Sequence, residues 1–293
     1  MHPSRHMVRH FGYVIVLLLS FNSFAQPATE IYLFDLQIKK NKIVLSNGAN
    51  ITNHRGYDNQ PFFHPDNSSL YFTQADTSGR TDIYVYDYST RLTKQVTDTP
   101  EREYSPTVTP DKKYISCIIQ RDDGVQDLGK YPIDGGDPIV LINNLKVGYH
   151  AWADNTNLIL FVLGEPMTLH WYSLADNRDL TLADSIGRSL HAIPQTTDMS
   201  FIHKTAQQWW IKKIQSKDKT ISSITETLPN REDLTWTPDG KIVMSDGEKL
   251  FYMEPGKGAS WKEIETTPAL ALKGITRLSV SKDGKRLALV AGE

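Results

Sequence analysis

Five short hairpins recur along this chain at a nearly constant spacing, and no other feature narrows the fold as much. They are "FFHPDNSSLYFT" (62–73), "TVTPDKKYISCI" (107–118), "HAWADNTNLILFV" (150–162), "LTWTPDGKIVMS" (234–245) and "LSVSKDGKRLAL" (278–289). Each is a short strand, a turn containing Asp66, Asp111, Asp154, Asp239 or Asp283, and a second strand rich in Ile, Leu, Val, Phe and Tyr. The aspartates are 45, 43, 85 and 44 residues apart. The long gap is two periods, and "LHAIPQTTDMSFIH" (190–203) is the degenerate unit between them. A period near 44 residues is that of four-stranded propeller blades.

Each unit must then supply two further strands. "DIYVYDY" (82–88) and "LTKQVT" (92–97) do so in the first, "TLHWYSL" (168–174) in the third and "QQWWIKKI" (207–214) in the fourth. "KLFYM" (249–253) and "WKEIE" (261–265) complete the fifth. The sixth stops at Glu293 after two strands, and the N-terminal region holds the missing pair, "EIYLFDL" (30–36) and "KIVLS" (42–46). The expected architecture is all-β: a six-bladed propeller of four-stranded antiparallel blades in one domain, residues 26–293. Residues 30–46 complete the blade begun by 275–290, which removes edges open to aggregation.

Residues 1–25 read as a secretory leader. Arg5 and Arg9 precede the apolar run 11–21, and Ser23 and Ala25 occupy the −3 and −1 positions of a cleavage site. The run is too short to span a bilayer, so the expectation is a chain exported to the periplasm or beyond, beginning at Gln26 and without a membrane span. Losing the leader takes the formal charge from −2 to −4. With no basic block left, nucleic acid is not an expected partner. Cys117, the single cysteine, reads as a buried small hydrophobe.

The pattern of "SP", "TPD" and a following Ile, then "DIYVYD" and "KQVT", resembles the TolB-like propeller repeat, a relative of WD-type repeats. The resemblance runs over essentially the whole chain after the leader. It implies the propeller fold and a place in the cell envelope. TolB itself carries a further small domain before its propeller, which the reading of this chain does not contain.

In a propeller the first residues of the innermost strands ring the central channel. Aligned on their turns, the units place Gln60, Ser105, His150, His191, Asp233 and Arg277 there, six polar residues suited to a binding site. The loops Arg80, Arg121, Asp122, Glu165 and Lys204 open on the same face and read as solvated charges. The favoured expectation is a monomeric, non-enzymatic scaffold holding a protein segment or a small acidic or hydroxylated ligand at the channel mouth, with no metal or cofactor assigned. Arg277 would meet a carboxylate, and the two histidines would strengthen binding as they protonate below roughly pH 6.5. The alternative is a metal-dependent or lyase-like enzyme acting on glycans through the His, Gln and Asp of the same ring. No nucleophile elbow of the "GxSxG" type is present.

Overall fold

The computed structural model describes residues 26–40, 42–256 and 258–293; the leader expected over 1–25 lies outside them. The described residues form six sheets. Blade one is Asp58–Phe63, Ser69–Ala75, Thr81–Asp87 and Leu92–Gln95, paired in sequence order from the innermost strand outwards. The innermost strands of blades two to six are Arg102–Val108, Val147–Trp152, Ile186–Ala192, Leu234–Trp236 and Thr276–Val280. Each touches the innermost strand of the blade before and after it, and the series returns on itself. This is the six-bladed propeller read from the repeat.

The apolar core does not lie at the centre. It is split into six clusters, one between each pair of adjacent blades. The period of two along each strand explains this, because successive side chains point to opposite faces of a sheet and both faces are covered. In blade three, Leu158 and Leu160 pack against Ile118 and Leu128 of blade two, while Ile159 and Phe161 pack against Met199 and Phe201 of blade four. Cys117 is buried between blades one and two with Tyr71 and Ile83. With every apolar face turned to a neighbouring blade, the axis is left for polar groups.

Closure follows the expected scheme. Thr29–Lys39 lies antiparallel to Arg286–Gly292, from Thr29 opposite Gly292 to Asp35 opposite Arg286, and Lys42–Asn50 lies outside it. One detail differs. The segment "WKEIE" is not a single outer strand of blade five: Lys262–Glu263 pairs there, but Glu265–Thr267 crosses and adds a parallel fifth strand to blade six beside Lys42–Asn50. Ile264 causes the switch. It is buried between the two blades and donates its N–H to the Leu250 carbonyl, which turns the chain from one sheet to the next.

Blade one is flanked by buried acids. Towards blade six, Asp58 is fully buried beside Glu30 and His54, and burial raises its carboxyl to about 6 despite a hydrogen bond from Gln74. Towards blade two, Glu103 is fully buried and raised by burial to about 7, opposed by donors Thr99 at 2.6 Å and Tyr131 at 2.9 Å. Asp82 lies against it and is likewise raised by burial, so the pair holds a proton more readily than free carboxyls do. Folded-state values above the unfolded ones mean that the folded chain binds more protons, so stability falls as pH rises from about 4 towards 7. Urea midpoints between pH 5 and 8 should decline, and Glu103→Gln should flatten the decline; a midpoint independent of pH would contradict the assignment.

The closure carries a second prediction. Deleting residues 26–46 leaves Arg286–Gly292 paired only with Thr276–Val280 and opens its outer edge, and the truncated chain should aggregate or melt far below the full one. Size exclusion and thermal denaturation check it; an unchanged, monomeric melt would contradict closure.

Candidate functional site

Each innermost strand except that of blade five begins with an irregularity in its ladder. In blades one, two and six the break falls at Asn59/Phe62, Tyr104/Thr107 and Thr276/Leu278. The residues within it, Gln60, Ser105 and Arg277, have φ of 59°, 57° and 44°. The left-handed region costs a non-glycine residue about 1 kcal/mol or more, so three such residues at one repeat position mark a place where side-chain aim outweighs backbone comfort.

A hydrogen bond closes every turn that follows, donated by the N–H of His64, Thr109, Ala153, Ile193, Thr237 and Ser281. Four residues before these donors stand Gln60, Ser105, Tyr149, Ser189, Asp233 and Arg277. Four of the expected ring residues therefore share one level. The other two do not, because the turn aspartate does not keep a fixed distance from that donor. It stands two residues after the donor in blades one, two, five and six, but Asp154 follows Ala153 directly, and Asp198 lies five beyond Ile193.

His150 is displaced into the blade interface. It is 7% exposed, with Nε2 2.8 Å from Ser116 Oγ of blade two. That hydroxyl donates to the Thr107 carbonyl at 3.0 Å and accepts from Trp152 Nε1 at 2.9 Å. Nε2 of His150 is thus the donor, and Nδ1 is an acceptor with no partner among the described residues. His191 stands two residues past the ring, with Nε2 3.0 Å from Ser189 Oγ. Burial lowers His150 to about 3 and His191 to about 4. Both stay neutral from pH 5 to 8, so the expected gain in binding on histidine protonation does not hold.

The charge at this level belongs to arginines, one of which sequence reading missed. Arg188 of blade four forks onto Asp233 of blade five, Nε to Oδ1 at 3.0 Å and Nη2 to Oδ2 at 2.7 Å. Arg277 of blade six lies 3.7 Å from Asp233 and donates from Nη2 to the Tyr149 hydroxyl at 2.7 Å. Blades three and six are opposite, so this bond spans the channel. Burial opposes ionisation of Asp233, but the Arg188 hydrogen bonds and the field of Arg277 hold it below the usual carboxylate range. Gln60 joins blades one and two by accepting from the Ser105 N–H at 2.8 Å. Arg188 follows Gly187, whose Cα approaches Ile202 and Glu232 too closely for a side chain; that glycine was the available signal for it.

A cavity of about 550 Å³ extends from this ring along the innermost strands to the turns. The ring expected at the mouth is the cavity's floor, and the opening is on the turn face beside Pro65, Pro110, Lys112 and Lys282. Trp152 and Trp236 form part of the wall, each indole N–H fixed 2.9 Å from a serine, Ser116 and Ser200, of the preceding blade. Arg188, Arg277, Lys112 and Lys282 line the cavity against one carboxylate, Asp233. At the rim Asp66 pairs with Lys112 and lies 3.8 Å from Lys282.

The donor set expected of a metal centre does not converge. His150 and His191 face serines, Asp233 is held by guanidiniums, and the Gln60 carbonyl accepts from Thr73 and Ser105. Among the described residues no three His, Cys, Asp or Glu side chains are grouped to hold an ion.

No family model matches the sequence, and no curated protein matches it. Solved structures do match in fold. A putative TolB from Agrobacterium tumefaciens superposes with a TM-score of 0.70 at 15% identity, covering 92% of this chain and 99% of that one. TolB from Acinetobacter baumannii gives 0.57 at 13%, covering 90% and 64%. An oligogalacturonate lyase in complex with manganese also gives 0.57, at 14%, covering 86% and 82%. The fold is a TolB-like β-propeller, as the repeat implied.

The floor network predicts its own test. Asp233→Asn leaves Arg188 with Glu232 alone, 3.6 Å from its Nε, and takes the nearer carboxylate from Arg277, which should cost about 2 kcal/mol. Urea unfolding measures it, and a loss below about 0.5 kcal/mol would show that the network carries no stability.

Proposed function

We propose that this protein is an exported scaffold of the cell envelope whose channel holds an acidic ligand, a protein segment or a small acid, without chemical conversion. The observation that carries this reading is the sign of the cavity: four cationic side chains and one carboxylate line it, and with Asp66 at the rim and Glu232 behind Arg188 counted the cations still exceed the acids, in a chain whose net charge is negative. Such a concentration of one sign in a walled cleft focuses the field and draws anions in. The wall supplies apolar and aromatic surface and the floor a few fixed polar groups, the division usual in ligand pockets. The TolB-like fold and the leader support a place in the envelope. No helix among the described residues is long and apolar enough to cross a membrane.

The glycan-enzyme reading has less behind it. The likeness to the lyase is one of fold, Nε2 of each histidine faces a serine, and Asp233 is held by guanidiniums.

Pentaglutamate and pentalysine are the discriminating probes, followed by tryptophan emission at low salt. The glutamate peptide should bind at least tenfold more tightly. Reversing the rim charges with Lys112→Glu and Lys282→Glu should remove that preference, since both lysines are exposed and the fold does not rest on them. Equal affinity for the two peptides would contradict the proposal. Recovery of the exported protein with Gln26 as its first residue tests the location.

A further inference from the structure

Three floor residues on consecutive blades, Arg277 on six, Gln60 on one and Ser105 on two, share the left-handed backbone. Their hydrogen-bonding capacity is only partly used. The Gln60 carbonyl oxygen accepts from Thr73 Oγ1 at 2.9 Å and from the Ser105 N–H, and its amide nitrogen has no partner among the described residues. The Ser105 hydroxyl is buried and has no partner among the described residues. Arg277 spends one N–H on Tyr149, while the nearby Asp233 already accepts the fork of Arg188. An amide N–H₂, a hydroxyl and a guanidinium on three consecutive blades therefore keep unspent donors at the one ring level. A carboxylate, with two acceptor oxygens, is the group that matches them.

The cavity stops at this level. Its lining begins with the ring residues, and the Arg277–Tyr149 bond crosses the axis beneath it. A chain cannot thread past the floor, so a ligand reaches these donors only with its tip. In the layer directly above, Leu190, Leu234 and Leu278 are turned into the blade interfaces, and Pro61 and Pro106 add apolar lining. Small apolar side chains suit the two prolines. From the floor to Pro65 is five residues of strand, about 17 Å, which an extended peptide of about five residues fills. Lys112 and Lys282 then stand where an acidic side chain would leave the channel.

We propose that the channel captures the free C-terminal carboxylate of an extended peptide, end-on, through Gln60, Ser105 and Arg277. This rests on the channel being an anion site, and the test separates the two. The probes are acetyl-Glu-Ala-Ala-Leu-Ala as the free acid and as the C-terminal amide, titrated calorimetrically, with trigalacturonate as a third ligand. The free acid should bind at least tenfold more tightly than the amide. Arg277→Ala should erase the difference, and Gln60→Ala should reduce it; the second variant, which removes no charge, covers the case in which the first fails to fold by circular dichroism. Equal binding of acid and amide overturns end-on capture and leaves the anion channel standing. Binding of neither peptide overturns both, and tighter binding of trigalacturonate overturns the peptide as occupant.

Discussion

The pairing of Thr29–Lys39 with Arg286–Gly292 is the contact on which the rest of the molecule depends. Every blade buries one face on each neighbour, so a ring with an open seam would expose two apolar sheet faces and a strand edge at once. Joining the two ends of the chain inside one blade settles both. It also fixes the circumference, and with it the distance over which Arg277 can meet Tyr149 on the opposite blade. The site is thus a consequence of closure: six strand starts brought to one level, with no core between them.

Packing and chemistry are kept apart by the same geometry. The alternation that drives apolar side chains between the blades leaves the strand starts free, and bulges there turn Gln60, Ser105 and Arg277 out of the regular ladder. Blade one, which bears Gln60, is set between two buried acid clusters, Asp58 with Glu30 and Glu103 with Asp82. Each acid on an innermost strand lies two residues before its floor residue, so the protons that hold blade one in place sit directly behind the proposed anion site.

Much of this was legible in the chain. The spacing of Asp66, Asp111, Asp239 and Asp283 tracks the real register because each stands two residues past the donor that closes its turn, and so Gln60, Ser105, Asp233 and Arg277 were found. Asp154 and Asp198 stand one and five residues past theirs, and His150 and His191 slipped into places that belong to Tyr149 and Ser189. Local pattern carries no record of such a slip; the hydrogen bond that closes the turn does. Arg188 escaped notice because it lies one residue before its ring position, and its role depends on a carboxylate 45 residues away in sequence. The acid pairs escaped for the same reason, since each joins two blades and neither partner is unusual alone. The parallel strand Glu265–Thr267 depends on Ile264 choosing the space between two sheets, which only the assembled ring creates.

The most direct measurement of the central claim is a crystal soaked in bromide and phased on the anomalous signal. A halide in contact with Arg277 and the Gln60 amide nitrogen, at the closed end of the channel, is the predicted result. Halides confined to the lysines of the rim or to the outer surface, with the floor empty, would contradict it.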